Sequence, residues 1–306
     1  MNPIRSFLFV PASRESWLDK VPGLGADAVI LDLEDSVPAE LKVKARELVA
    51  ARLGALGRDG RRIYVRINRS PHCYSFEDVM AVVREGLEGI VLPKPDGPED
   101  VDLAAALVAE AEMRNGLAPG RVSLVPTLET ARSLQFAHEI AIRPRVVAIA
   151  GASAKNGDVA RSVGFRWTHE GLETLHLKSA VVIAARAAGK LPIGGVWQEV
   201  HDLDGLRRAA AFNRQLGFSG EFILHPSNVA VVNEIYTPSA EELAYYEGMI
   251  RTFEEARAKG VAAVIYDGEH IDTAHVTTAR EIVALAKSQG EGRLKAKAGA
   301  ALREPR

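Results

Sequence analysis

The chain has 306 residues, 47% apolar and 25% charged, which excludes a disordered or low-complexity polymer. Basic residues number 38 and acidic residues 40, a formal charge of -2, so the basic excess usual in nucleic-acid and membrane-surface proteins is missing. The single cysteine, Cys73, leaves no internal disulfide framework and no cysteine-rich zinc site, as expected of a reducing, cytoplasmic setting.

In chain order, the first apolar run is Phe7 to Val10, behind Arg5 and ahead of Pro11. It is shorter than the roughly 7–15 apolar residues of a secretory core. No run approaches the roughly 20 that a membrane helix needs. Further short apolar runs follow at Ala28 to Leu33, Ile63 to Ile67, Gly89 to Leu92, Val122 to Pro126, Val146 to Ala150, Leu191 to Val196 and Phe222 to Leu224. Helical patterns lie between them, for example at Pro38 to Val49, Ser75 to Arg84 and Leu172 to Ala188. Continuous apolar strands alternating with helices predict a parallel sheet covered by helices. About eight such units predict a (β/α)8 TIM barrel over residues 1–228. A doubly wound open sheet fits less well, since no glycine-rich phosphate loop follows the first strand.

Past His225 the pattern changes. Asn228 to Lys259 reads as helix with a break near Thr237-Pro238, and Asp267-Gly268 marks a hairpin between Val261 to Tyr266 and Glu269 to Ile271. Ala274 to Ser288 is helical again. Residues 229–289 therefore form a helical and hairpin extension, and 290–306 read as a frayed tail.

In such barrels the chemistry sits at the C-terminal ends of the strands. The second strand ends Asp32-Leu33-Glu34-Asp35, and period-two alternation puts Asp32 and Glu34 on one face. Asp35 also reads as a loop or capping acid. On the third strand Tyr64, Arg66 and Asn68 share a face. Arg66 suits a carboxylate ligand, or an internal pair with Asp32 or Glu34. Lys94 ends the fourth strand as an ionic partner of these acids or as a Schiff-base lysine; so many acids keep it charged, which favours the first. Glu129 ends the fifth strand, and Asp158 follows the sixth behind Gly157 at a helix start. Two carboxylates on neighbouring strand ends, without a Cys or His cluster, suit a hard cation such as Mg²⁺. The plain alternatives are an N-cap for Asp158 and a salt bridge to Arg66 for Glu129. His225 reads as a packed, hydrogen-bonded residue at the eighth strand end.

Several segments together resemble the citrate lyase beta-subunit-like family, which includes malyl-CoA and citramalyl-CoA lyases. They are Arg5 to Pro11, Leu31 to Val37 with Lys44-Ala45-Arg46, Val65 to Asn68, Leu92 to Lys94, Glu129 to Ala131, Ala184 to Gly189, Gly217 to Gly220 with Leu224 to Pro226, and Ala279-Arg280. The resemblance runs in order from about residue 5 to 285. It implies a Mg²⁺-dependent carbon–carbon lyase that splits or forms a 3-hydroxyacyl-CoA thioester, such as citryl-, malyl- or citramalyl-CoA, giving an acyl-CoA and a 2-oxo acid. Two alternatives stay open within it: a malyl-CoA-type thioesterase at the same metal site, and a citrate lyase beta-type subunit active only in a larger complex. A pyruvate-aldehyde aldolase without CoA is a third.

Carried over by position, Glu129 and Asp158 resemble the metal ligands, and Arg66 the residue that grips the 2-oxo acid with the backbone near Gly157. Glu34 and Asp35 resemble supporting acids. Arg5, and Arg14 with it, read as helpers at the thioester or CoA phosphates or, as the plain alternative, as ordinary surface arginines, with Lys94 also at the substrate. Asp272, in Gly268 to Asp272, resembles an acid/base inserted into a neighbouring subunit's site; its plain alternative is a helix N-cap. That reading makes the extension 229–289 a lid and oligomerisation element and implies a homo-oligomer, a trimer or hexamer. The chain departs from the family pattern in three places: the long approach Gly151 to Asp158, Glu221 where lysine is common, and Gly194-Gly195 where Asp-Gly is frequent.

Overall fold

The structure is a computed structural model describing residues 4–151 and 155–301, the last twelve or so as backbone. Eight parallel strands close into a barrel in sequential order. They are β1 (Ser6–Pro11), β2 (Ala28–Asp32), β3 (Arg62–Arg66), β4 (Gly89–Leu92), β5 (Ser123–Leu128), β6 (Ala148–Gly151), β7 (Leu191–Gly194) and β8 (Gly220–Ile223). β1 pairs with both β2 and β8, in the registers Pro11 to Asp32 and Ser6 to Glu221, which closes the ring. The connecting helices are α1 (Glu15–Leu18), α2 (Lys42–Leu56), α3 (Phe76–Val82), α4 (Pro98–Arg114), α5 (Ala131–Gln135), α6 (Ala137–Ala141), α7 (Asp158–Val163), α8 (Leu172–Ala187), α9 (Leu203–Leu216) and α10 (Val229–Ile235). The expected (β/α)8 barrel is present, each strand within about two residues of its apolar run.

Alternation along the strands builds two apolar layers. Phe7, Ile30, Tyr64, Val91, Val125, Ala148, Ile193 and Phe222 fill the barrel interior. Their neighbours Leu8, Leu31, Val65, Ile90, Leu124 and Ile149 pack outward against the helices. Because both faces are buried, each strand reads as an unbroken apolar run. The interior is aromatic along one side: Phe7 meets Tyr64 edge-on at 5.3 Å and Phe222 at 5.7 Å, and Phe9 lies above, 5.2 Å from Phe222. Gly89 makes room for this filling, because a Cβ there would stand 2.8 Å from the Tyr64 ring and 2.2 Å from Ser123 Oγ.

The chain divides into two compact units, Ile4–Tyr236 and a second one beginning at Thr237. α10 thus lies with the barrel unit, whereas the sequence reading ends the barrel at residue 228. The second unit contains α11 (Ala240–Ala258), the antiparallel hairpin β9 (Val264–Tyr266) and β10 (Glu269–Ile271), and α12 (Thr273–Ala301). Met249, Phe253, Ile271, Val276 and Ala279 form its core. Its turn residues Asp267 and Gly268 have φ of 49° and 81°, the left-handed pair that a two-residue hairpin turn requires. α12 continues to Ala301, through most of the stretch read as a frayed tail. That stretch lacks an apolar stripe; Ala296, Ala298, Ala300 and Ala301 favour helix, while Gly290, Gly292 and Gly299 weaken it, which is why the sequence reads there as a frayed tail. Residues 302–306 of the expected tail lie outside the described residues. Among the described residues no helix is long and apolar enough to cross a membrane.

Candidate active site

The charged side chains gather at the C-terminal ends of β2 to β6. Asp32 is the last residue of β2 and its inward register places it opposite Arg66 of β3. It is fully buried (0% exposed) and five donors converge on it. Arg66 Nε and Nη2 donate at 2.6 and 2.7 Å, Glu34 N at 3.0 Å, Ser36 N at 3.2 Å, and Ser36 Oγ donates as well. Burial pushes the Asp32 carboxyl up, but the Arg66 bonds and charge, with Ser36 and the Glu34 N–H, outweigh it and hold it below its usual value. The Arg66 guanidinium lies over the Phe9 ring at 4.8 Å, and its Nη1 meets Glu34 Oε2 at 2.9 Å. The third-strand arginine is therefore clamped on one edge by Asp32 and floored by an aromatic ring.

Lys94 reaches the same place from the end of β4. Its Nζ donates to Glu34 Oε1 at 2.7 Å and to Asp35 Oδ2 at 3.0 Å, and lies 3.5 Å from Asp158 Oδ2. Burial would lower the Lys94 pKa; the Glu34 and Asp35 bonds and charges reverse this and raise it above the usual lysine range. An ammonium so held is a counter-ion, not a Schiff-base nucleophile. Burial raises the Glu34 carboxyl, against the pull of Arg66 and Lys94.

Glu129 follows β5, just before Thr130 caps α5 with its side chain. Its Oε2 is inaccessible and finds no hydrogen-bond partner among the described residues. Burial, against the pull of Lys94 and Arg66 and with the help of Glu34 and Asp158, pushes the Glu129 carboxyl up to about 7. Those same interactions place Glu129 and Asp158 in one electrostatic neighbourhood. The expected alternative of a salt bridge from Glu129 to Arg66 is not the arrangement present, since Asp32 takes that role. Asp158 opens α7 behind the extended Gly157, is half-buried, and pairs with Arg161 one turn on. The centre of the long approach, residues 152–154, lies outside the described residues.

Two expectations fall elsewhere. Arg5 precedes β1 and so stands at the opposite, N-terminal end of the barrel, a correction to its expected place beside the substrate. There it is buried, with Nε and Nη2 donating to Asp27 at 2.8 and 2.6 Å. The cause is strand direction: only residues after β1 can reach the mouth. Asp272 belongs to the second unit, is half-exposed, and accepts from the Ala274 N–H at 2.9 Å and meets His275 Nδ1 at 2.7 Å, as the helix N-cap alternative expects. The His275 bond, then the backbone N–H groups, hold its carboxyl below the usual range. His225 accepts from the Ser227 N–H and meets its hydroxyl at 2.7 Å, a hydrogen-bonded residue as expected.

Other residues support the mouth without any motif to announce them. Lys42 Nζ donates to Leu33 O at 3.1 Å and Glu34 O at 3.0 Å, and also to Asn68 Oδ1, tying the β2 loop down. Asp78, fully buried, accepts from Arg46 Nε at 2.7 Å and from the backbone and side chain of Asn68. Asn68 is thereby spent on structure.

Two of the departures from the family pattern prove to be one feature. A Cβ on Gly194 would stand 1.9 Å from Glu221 Oε2, so a side chain at 194 would force the Glu221 carboxylate out of its present place. Glu221 is buried outside the barrel wall. It accepts from Tyr236 Oη at 2.6 Å and Asn213 Nδ2 at 2.9 Å, with the buried Lys178 supplying the nearby positive charge. Lys178, Asn213 and Glu221 line a cavity of about 50 Å³ that reaches Trp167, Trp197 and Lys155.

Among the described residues no three His, Cys, Asp or Glu side chains converge to hold a metal ion by themselves. Two carboxylates do share the mouth, and one carries a buried oxygen without a partner. That donor set fits Mg²⁺, which takes one or two carboxylates and completes its shell with water and substrate oxygens.

A closed parallel barrel with acids, an arginine and a lysine at its strand ends is an enzyme's scaffold with a mouth made for a small anion and a cation. Residues 5–226 match the HpcH/HpaI aldolase/citrate lyase family, and the chain belongs to that family. It is 33% identical to a (3S)-malyl-CoA thioesterase of Cereibacter sphaeroides, over 94% of this chain and 96% of that one. It is 32% identical to an L-malyl-CoA/beta-methylmalyl-CoA lyase of the same organism, over 92% and 94%. Among solved structures it is similar to protein CitE of Mycobacterium tuberculosis in complex with magnesium, acetoacetate and coenzyme A. That likeness has a TM-score of 0.73 at 26% identity, over 93% of this chain and 98% of the other.

Proposed function

We propose that the chain is a Mg²⁺-dependent carbon–carbon lyase that cleaves or forms a 3-hydroxyacyl-CoA thioester, with an acyl-CoA and a 2-oxo acid as the other partners. The observation that carries this is the buried, unpartnered Glu129 Oε2 beside Asp158 and the Asp32–Arg66 clamp. The lyase relative and the magnesium and coenzyme A bound by the M. tuberculosis protein support it.

Glu129 and Asp158 would hold the Mg²⁺, which when bound polarises the 2-oxygen of the oxo acid as a Lewis acid. Arg66 grips the substrate carboxylate. Asp32 fixes Nε and Nη2 in place, and the guanidinium keeps further N–H donors for the ligand. The aromatic floor of Phe9 and the β2 loop tied down by Lys42 hold this geometry before the substrate arrives, so little reorganisation is left for the reaction. In cleavage the 3-hydroxyl gives up its proton, the carbon–carbon bond breaks as the carbonyl forms, and the acyl enolate takes a proton at carbon. We assign the proton transfers to Asp272 of a neighbouring copy. Its carboxyl, held below its usual value by His275 and backbone N–H groups, is ionised at neutral pH and half-exposed on its own unit. This assignment requires a homo-oligomer, which we take as a trimer or hexamer, in a reducing cytoplasm.

The thioesterase relative favours a second reading, hydrolysis of a malyl-CoA-type ester in the same mouth. One experiment separates the two: a product assay over a panel of 3-hydroxyacyl-CoA esters, with Mg²⁺ and with EDTA. The lyase yields an acyl-CoA and a 2-oxo acid, and the thioesterase yields the free hydroxy acid and CoA. Glu129→Gln is expected to abolish metal-dependent turnover and leave the fold intact. Full turnover in that variant would remove the site.

A further inference from the structure

Lys94 stands in Pro93-Lys94-Pro95 with φ of 50°, a left-handed conformation that a non-glycine residue adopts only where its surroundings enforce it. Its N–H donates to Thr127 Oγ1 at 3.3 Å, and Thr127 Oγ1 in turn donates to Leu92 O at 3.0 Å. This fixed backbone launches the side chain across the mouth, where one ammonium meets three carboxylates: Glu34 at 2.7 Å, Asp35 at 3.0 Å and Asp158 at 3.5 Å. Asp32 is already spent on Arg66. Four further acids, Glu34, Asp35, Glu129 and Asp158, are therefore shared among Lys94, what remains of the Arg66 charge, and Arg161, which pairs with Asp158 from its own helix.

Resting on the metal reading given above, we propose that Lys94 is an internal counter-cation that competes with the divalent ion for Asp158 and so sets the ion's affinity. Asp158 cannot face an ammonium and a divalent ion at once without strong repulsion between the two cations in a partly buried mouth. The flexible lysine stem can withdraw toward Asp35, whose side chain is 60% exposed and lies within its present reach. The consequence is a weakly held ion. Its retention then depends on the oxo acid, whose negative charge offsets the lysine that the ion displaces. Chemistry would be coupled to substrate binding in this way.

The test is isothermal titration of Mn²⁺ into the full-length, EDTA-treated protein. Lys94→Met, similar in length and neutral, is expected to tighten Mn²⁺ binding about tenfold or more. Lys94→Arg, which restores the charge, is expected to return it to within about threefold of the unaltered protein. Unchanged or weaker binding in Lys94→Met overturns the proposal. A second measurement uses the unaltered chain, in case that variant does not fold: trace acetylation by acetic anhydride, read by peptide mass spectrometry against the exposed Lys44. Saturating Mn²⁺ is expected to raise Lys94 labelling about threefold or more, because the amine that leaves Asp158 moves toward the exposed Asp35 and becomes more accessible to the reagent. No change, or protection, overturns the proposal. If Glu129→Gln binds Mn²⁺ as tightly as the unaltered protein, or neither binds it, the metal reading itself fails and takes the proposal with it. If Glu129→Gln loses binding while Lys94→Met leaves it unchanged, only the role of Lys94 is lost.

Discussion

Replacing Asp32 by asparagine tests the Asp32–Arg66 clamp on which the proposed substrate recognition rests. The carboxylate receives Arg66 Nε and Glu34 N on one oxygen, and Arg66 Nη2, Ser36 N and Ser36 Oγ on the other. An amide offers one acceptor oxygen and one donor nitrogen. Whichever way it turns, two or three of those donors meet an NH₂ group. Each lost bond is worth about 1 kcal/mol, and a buried guanidinium deprived of its ionised partner typically costs about 3–5 kcal/mol. Some charge compensation survives through Glu34, so we expect a loss of about 3 kcal/mol. That is a large share of the roughly 5–15 kcal/mol by which domains are stable. Urea unfolding of the metal-free protein at neutral pH reads it. The native Asp32 carboxyl lies below its unfolded value of 3.8, so its contribution is complete above that pH and fades as pH falls through the folded value. The difference between the two proteins should therefore shrink in acid. In the condensation direction the KM for the oxo acid should rise about tenfold or more as Arg66 loosens. A stability loss under about 1 kcal/mol together with an unchanged KM would refute the reasoning.

Glu221→Gln gives the pH test. Burial, against the Tyr236 and Asn213 bonds and the charge of Lys178, holds the folded carboxyl at about 7, against 4.5 unfolded. A group raised in this way favours the fold fully below 4.5, and that contribution is lost as pH rises through 7. The glutamine keeps an acceptor for both bonds and carries no charge, so it should gain about 1–3 kcal/mol relative to the parent at pH near 8, and little in mild acid. Urea midpoints at the two pH values measure this; an equal difference at both would count against it. Lys42→Met removes the donor to Leu33 O, Glu34 O and Asn68. It should cost about 1–3 kcal/mol and lower kcat/KM with little change in the metal-free fold seen by circular dichroism, and full activity would deny the loop its positioning role.

The barrel was legible because strands buried on both faces leave continuous apolar runs, and eight of them stand in order. The inward alternation of Asp32 with Ile30, and of Arg66 with Tyr64, was legible for the same reason. What lay hidden was pairing over long sequence distances. Nothing in the spacing links Lys42 to Asn68, or Arg46 to Asp78, because these contacts depend on where a helix docks. The left-handed turn at Lys94 was equally invisible, since proline neighbours restrict it without dictating its sign. Arg5 is different. The rule that chemistry lies at the C-terminal strand ends already argued against it, as it precedes its strand. The departures at Gly194 and Glu221 were visible separately, and only coordinates reveal that they occupy the same space. The continuation of α12 to Ala301 was not legible, because the stretch has no apolar stripe and carries Gly290, Gly292 and Gly299, so that neither periodicity nor propensity announces a helix.

Diffraction from crystals grown with Mg²⁺ and a 2-oxo acid addresses the centre of the account most directly. It predicts one ion bound by both Glu129 and Asp158, the oxo acid completing its shell with its carboxylate on Arg66, and Lys94 drawn away from Asp158. An ion held elsewhere, or an oxo acid bound without any ion between it and those two carboxylates, would contradict it.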